Sequence, residues 1–287
     1  MTPGCVDDLD GLEEEKPNYL ASLFEDPADR AWSLCVADVS TGEMRLGSGK
    51  KDELLALLWK LKPKELLVRK FFQKEALEII HSKKIYHNSI LIESLDEEIL
   101  RNQDEQDNIL QKHFGKDKNN CVKQLSEKAV CAATLKHFQK LKLCTQQFRH
   151  IKPIVEPTNI PLDEVAVRDL EIYETSRERN QKGSLFAVLN HTMTPMGARK
   201  LRWQLGSLMT SKKQIEASHE KIDSLLNAGE EKMSQLRSCL KSIGDLERLV
   251  TRVLSLKAKP QELCQIRNIL ENTQNLVGRL QQIFPQK

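Results

Sequence analysis

Residues 32–46 read WSLCVADVSTGEMRL: an apolar run from Trp32 to Val39, a turn signal at Ser40-Thr41-Gly42-Glu43, and a short return through Met44, Arg45 and Leu46. Apolar residues on both sides of a Ser/Thr/Gly cluster predict a β-hairpin. Immediately after it, Leu54, Leu55, Leu57, Leu58 and Leu61 fall at helical spacing within Asp52 to Leu61, and Pro63 ends that helix. Glu65 to Val68 is short and apolar, Glu75 to His81 is helix-like, and Ser89 to Ile92 is apolar again. Strands alternating with helices in this way predict a small α/β domain with a mixed sheet. It closes on an acidic helix that Ser94 can cap, with Asp96, Glu97 and Glu98 in its first turn, where the macrodipole favours them. Gly115 and the polar run Lys116 to Asn120 mark the expected boundary, giving an α/β domain over 1–115.

Beyond that boundary the strand signals disappear and an all-α domain is expected over 116–287. Val122, Leu125, Ala129, Ala132, Leu135 and Phe138 recur every three or four residues, which predicts a rod of about 21 residues with one apolar stripe. Pro153, Pro157 and Pro161 predict an extended connection, because each biases its predecessor away from the α region. Cap signals then mark successive helices: Ser184 behind Gly183, Thr194 followed by Pro195, Ser211 with Gln214, Asp245 ahead of Leu246, and Pro260 opening a last helix to about Ile283.

The chain has 287 residues, 44 Lys and Arg against 41 Asp and Glu, and only 14 aromatic residues. That balance excludes a polybasic arm or an acidic tail and suits a polar, helix-rich, cytoplasmic protein. No apolar run approaches the roughly 20 residues of a membrane span, and the acidic start has no signal-peptide pattern. Seven scattered cysteines never form C-x-x-C, and no H-E-x-x-H or H-x-H occurs, so neither a disulfide framework nor a metal site is expected. Residues 1–30 hold nine acids against Lys16 and Arg30, whereas 112–152 hold ten bases against Asp117 and Glu127. The second block could attract phosphate, with Lys123, Lys128, Lys136, Lys140 and Lys142 as candidate contacts, or it could be a solvated lysine face.

Leu162-Asp163-Glu164-Val165-Ala166-Val167-Arg168-Asp169-Leu170-Glu171 resembles the MutS family of DNA mismatch-repair proteins. Gly183-Ser184-Leu185-Phe186 with Thr192, Thr194, Pro195, Met196, Gly197 and Arg199 is similar to that family's G-S-L-x-x-x-L-D-x-T-x-T-x-M-G-x-R signature, and Asp245-Leu246-Glu247-Arg248 with Arg252 to its D-L-E-R-x-x-x-R element. Thr2-Pro3-Gly4, Asn18-Tyr19-Leu20, Asp38 to Glu43 and His113-Phe114-Gly115 follow in the family's order. Gln204, Leu208, Ser218, Ala166 and Asp169 depart from its usual residues.

The resemblance implies a ribonuclease H-like connector followed by an incomplete lever of long helices, the sequence opening where the connector opens and stopping within the lever. By the same resemblance ATP and Mg²⁺ belong to an ATPase domain outside this chain. The look-alike phosphate loop Gly42 to Ser48 has Ser48 where the lysine belongs, so no nucleotide binding and no cofactor are expected. The implied role is a non-catalytic segment that couples ATPase state to mismatched-DNA binding, with a separately encoded clamp and ATPase as a partner. The alternatives are salt-sensitive, non-specific binding to duplex DNA, a remnant without activity, and, least favoured, a Mg²⁺-dependent nuclease built on Asp38 and Glu93. For Arg168, Asp245, Glu247 and Arg248 the plain alternative is a helix cap, a first-turn acid and surface ion pairs worth under about 1 kcal/mol each.

Overall fold

The computed structural model describes residues 2–5, 12–28, 30–82, 90–115, 122, 124–155 and 159–283. They fall into two compact units: Met1–Glu13 with Pro17–Val155, and Glu14–Lys16 with Glu156–Lys287.

The first unit is built on six strands, β1 (Leu20–Glu25), β2 (Trp32–Asp38), β3 (Glu43–Gly49), β4 (Glu65–Val68), β5 (Leu91–Ser94) and β6 (Ile151–Pro153), in the order β5-β4-β1-β2-β3-β6. The expected hairpin is β2 and β3, antiparallel with Asp38 opposite Glu43. Gly42 closes it at φ 71°, and a Cβ there would lie 2.9 Å from the Gln147 carbonyl oxygen, so the turn requires glycine. β1 also pairs antiparallel with β2, whereas β1–β4, β4–β5 and β3–β6 are parallel, making the sheet mixed.

Side chains alternate across this sheet with the two-residue strand period. Leu20, Phe24, Cys35, Ala37, Met44 and Leu46 face a core shared with α3 (Glu97–Arg101), α4 (Gln103–Phe114) and α5 (Leu125–Lys140). Ala21, Leu23, Leu34 and Val36 face the opposite core, with α1 (Lys51–Leu61) and α2 (Gln73–Ser82). Because both faces are covered, β1 is buried along nearly its whole length and shows no polar alternation, which hides it from a sequence reading.

The second unit carries α6 (Glu164–Asp169), α7 (Leu185–Leu189), α8 (Pro195–Leu205), α9 (Lys212–Asn227), α10 (Glu230–Lys241), α11 (Leu246–Leu254) and α12 (Pro260–Ile283). Ile243, Leu249 and Ile269 form a small core against which Met196, Leu240, Leu246, Ile266 and Leu276 pack. Among the described residues no helix is long and apolar enough to cross a membrane.

An α/β sheet domain followed by a helical region is the architecture expected from the alternation of signals, but four details differ. The first compact unit runs to Val155, well past Gly115, because β6 pairs with β3 and α5 lies on the sheet. α5 is accordingly a sheet-covering helix of 16 residues and not a free rod. It is buried continuously from Ala129 to Leu135 and joined to the strands by hydroxyl contacts of 2.8 Å, Ser126 to Ser33 and Thr134 to Ser22. The helical unit is not purely α, since β7 (Asn159–Pro161) and β8 (Ser207–Met209) make a two-stranded antiparallel ladder. Lastly, the acidic helix is capped by Asp96, whose carboxylate accepts from the Glu98 N–H, while Ser94 ends β5; Ser211 sits at the N-cap of α9 without a side-chain cap bond.

Candidate functional site

Most of the signature residues converge on a buried arginine node in the helical unit. Thr194 starts α8 as its N-cap, its hydroxyl accepting from the Gly197 N–H at 3.1 Å, with Pro195 at the first helical position. One turn later Arg199 leaves the helix with its side chain only 9% exposed. Its guanidinium grips Asp245 with two bonds of 2.6 and 2.8 Å and donates to Glu247 at 2.7 Å and to the Glu14 carbonyl at 3.0 Å. This is the planar fork for which arginine, and not lysine, is suited. Burial works against its charge, but the bonds and charges of Asp245 and Glu247 outweigh it and hold the group above the ordinary arginine value.

Asp245 has a second task as the N-cap of α11, accepting from the Arg248 N–H at 3.3 Å. Arg248 is 2% exposed and donates to the Lys16 carbonyl at 2.8 Å. One turn further, Arg252 meets Glu262 of α12 at 2.8 Å and donates to the Lys257 carbonyl at 3.1 Å. The three arginines thus tie α8, α11, the start of α12 and the segment Glu14–Lys16 into one network. The plain reading holds for the Asp245 cap, for the half-exposed first-turn acid Glu247 and for the exposed Arg168 pair, but not for Arg248 or for the Arg199–Asp245 pair, which are desolvated; losing one partner of such a buried pair costs about 3–5 kcal/mol instead of under about 1. Sequence periodicity could not show this, because the partners of Arg199 and the carbonyl held by Arg248 lie 46 to 232 positions away.

The remaining signature residues support the node locally. Ser184 caps α7 by accepting from the Ala187 N–H, and Gly183 precedes it at φ 96°. Thr192 bonds the Asn190 side chain at 2.6 Å, and Met196 and Leu246 pack against the Ile243, Leu249 and Ile269 core. Leu185 is 39% exposed. Asp163 caps α6 through the Ala166 N–H at 2.7 Å, Arg168 pairs with its exposed neighbour Asp169, Leu170 is exposed, and Glu171 accepts from the Ser176 N–H. Sequence reasoning missed Glu262, the Glu14–Lys16 segment and Arg202. Arg202 lies over the Tyr173 and Phe186 rings at 4.9 and 4.6 Å, and burial pushes the Tyr173 hydroxyl up to about 12. The Arg199/Arg202 spacing of three was the available signal for the last of these.

The other candidates are not brought to such a site. Lys128, Lys136 and Lys140 pair with Asp107, Glu105 and Asp96 at 2.8, 3.2 and 2.7 Å, so the acidic helices α3 and α4 occupy these three lysines. Lys142 is exposed, and Lys123 lies outside the described residues. Asp38 and Glu93 cannot share a metal: β2 and β5 are three strand spacings apart, about 14 Å. Asp38 instead accepts from the Asn18 and Ser40 N–H groups at 2.9 Å each. The look-alike Gly42 to Ser48 lies along the turn and β3, paired on both sides, and not at a strand-to-helix loop.

Two family models match this chain, one described as MutS domain II over residues 18–152 and one as MutS domain III over residues 165–287. The gap between them brackets the boundary between the compact units at Val155. The DNA mismatch repair protein MutS of Caldanaerobacter subterraneus subsp. tengcongensis is 28% identical, covering 94% of this chain and 31% of that protein. That of Clostridium botulinum (strain 657) is 30% identical over 93% of this chain and 28% of its own length. The Staphylococcus epidermidis protein of the same name is 27% identical over 100% and 30%. The chain therefore spans about 30% of the length of the curated relatives it matches.

Proposed function

The chain belongs to the MutS family over its connector and core regions, and from that premise we propose that it is a non-catalytic coupling segment of a mismatch-repair machine. The observation that carries the reading is the buried node of Arg199, Arg248 and Arg252. A lever must move as one body, and desolvated ion pairs between helices, such as the bidentate Arg199–Asp245 pair between α8 and the start of α11, resist relative displacement far better than solvated ones. The Glu14–Lys16 segment, held through its carbonyls by Arg199 and Arg248, ties chain preceding β1 to the same body.

The remaining parts, a DNA clamp and an ATPase, act with this segment either in one chain or as a separate partner, in the cytoplasm. Leu263, Leu270 and Val277 support that arrangement. They are spaced by seven on α12 and are 51%, 54% and 46% exposed, a stripe that a further helix would cover. Contact with duplex DNA in this reading is non-specific and secondary.

A chimera tests the proposal. This chain replaces the matching region of the Caldanaerobacter MutS, and ATP-driven release from a mismatched duplex is followed by stopped-flow fluorescence. An Arg199→Met version should retain mismatch binding while releasing at least tenfold more slowly. Equal release by the two chimeras would refute the coupling role.

A further inference from the structure

The first unit holds a second cluster of chemistry-bearing side chains, unrelated to the arginine node. Cys5 ends a 3-10 turn, Pro3–Cys5, that lies directly on β4; a Cβ at Gly4 would meet the Glu65 Cβ at 2.6 Å, so glycine is needed for that close approach. Glu65 opens β4, an interior strand flanked by β5 and β1, and is completely buried. His137 comes from the last turn of α5 and is 12% exposed at its side chain. One ligand atom from each of Cys5, Glu65 and His137 lies within 4.8 Å of the other two.

From this geometry we infer that Cys5, Glu65 and His137 form a binding site for a divalent ion of the zinc type. Glu65 Oε1 and His137 Nε2 are both buried and face each other at ion-pair distance, 3.3 Å, with no hydrogen-bond partner for either atom beyond this contact. Two groups bound to one tetrahedral ion by bonds of about 2.0–2.1 Å are about 3.3 Å apart, so the separation suits an ion held between them. Cys5 Sγ donates to the other carboxylate oxygen, Glu65 Oε2, at 3.7 Å, which places the sulfur beside the same carboxylate and within 4.8 Å of the other two ligand atoms. A borderline-soft set of one sulfur, one nitrogen and one oxygen favours zinc over magnesium or calcium.

The surroundings fit that role. The Thr2 hydroxyl bonds Glu65 Oε2 and orients the carboxylate. Zinc binds the thiolate, so binding releases the Cys5 proton. Bound there, the ion staples the 2–5 turn to β4 and α5, three segments that share no local sequence motif. Neither C-x-x-C nor H-x-H spacing marks such a site, which is why the spacing argument against a metal did not detect it.

The test uses the full chain stripped with a chelator, then titrated with Zn²⁺ against a chromophoric competitor and, separately, with Co²⁺ as a spectroscopic probe. One ion should bind per chain, Co²⁺ should produce a thiolate-to-metal charge-transfer band with tetrahedral intensity, and Zn²⁺ should raise the Tm. Cys5→Ser should abolish the band and His137→Gln should weaken Zn²⁺ binding at least tenfold, while Cys264→Ser, at an exposed cysteine of α12, should change neither. Circular dichroism without metal checks that each variant folds; if Cys5→Ser does not, the Co²⁺ spectrum of the unaltered chain and the His137→Gln affinity decide. Absence of the band in the unaltered chain, or Zn²⁺ affinity unchanged in His137→Gln, would overturn the site and leave a hydrogen-bonded triad without metal.

Discussion

Replacing Arg199 by methionine removes the centre of the arginine node while keeping most of the apolar stem. The lost interactions are the two bonds to Asp245, one to Glu247 and one to the Glu14 carbonyl. Glu247 is 51% exposed and rehydrates, so its share is under about 1 kcal/mol. Asp245 is 15% exposed and keeps only the Arg248 N–H and a long contact of 3.8 Å to the Arg248 guanidinium. Leaving that carboxylate short of a partner places the total at about 3 kcal/mol, the lower end for a broken buried pair. For a unit of this size that corresponds to a Tm drop of roughly 10 °C. Urea denaturation of the full chain, with hydrogen exchange in α11 to identify which unit opens, measures it. The cycle of Arg199→Met, Asp245→Asn and the double variant should give a coupling above about 2 kcal/mol, with Arg199→Lys in between because an ammonium cannot make the fork. Arg168→Met, at an exposed ion pair, should stay within about 0.5 kcal/mol. A coupling below about 0.5 kcal/mol, or equal losses at Arg199 and Arg168, would refute the claim that desolvation gives the node its strength.

Other consequences are equally open to measurement. Gly42→Ala forces a Cβ to 2.9 Å from the Gln147 carbonyl at φ 71° and should cost about 1–3 kcal/mol in urea denaturation of the first unit, whereas Gly115→Ala, also at positive φ but with nothing within 4 Å, should cost less. The Lys140 ammonium, helped by the Glu98 and Ile99 N–H groups, holds the Asp96 carboxyl below its usual 3.8 against the effect of burial. Its stabilisation is therefore complete above pH 3.8 and disappears as the pH falls through the lower folded value; Asp96→Asn should flatten that part of the stability–pH curve. Thr134→Val leaves the buried Ser22 hydroxyl without its 2.8 Å neighbour and should cost about 1–2 kcal/mol by thermal unfolding. Because α3 and α4 already neutralise them, replacing Lys128, Lys136 and Lys140 with alanine should leave retention on duplex DNA at about 50 mM salt unchanged in a filter assay; a large loss would restore the phosphate-contact reading.

Signals carried by neighbours along the chain were legible before any coordinates. The β2–β3 hairpin followed from its turn residues, α1 from its leucine spacing and Pro63, and the starts of α7, α8, α11 and α12 from Ser184, Thr194-Pro195, Asp245 and Pro260. Each of these depends on hydrogen bonds or steric limits within about four residues, so composition over a short window suffices. The motif residues around Thr194 to Arg199 and Asp245 to Arg252 could likewise be named as belonging together in a family pattern. What they do for one another could not, since a capping aspartate and a surface ion pair look the same in one dimension whether or not water reaches them. β1 was hidden by burial on both faces, and α5 read as a rod because periodicity reports that a stripe exists but not what covers it. Cys5, Glu65 and His137 meet only because β4 runs beneath the 3-10 turn and α5 crosses the same sheet. Their contact is a property of packing, and long-range packing is set by the sum of many weak apolar contacts that no short window of residues contains.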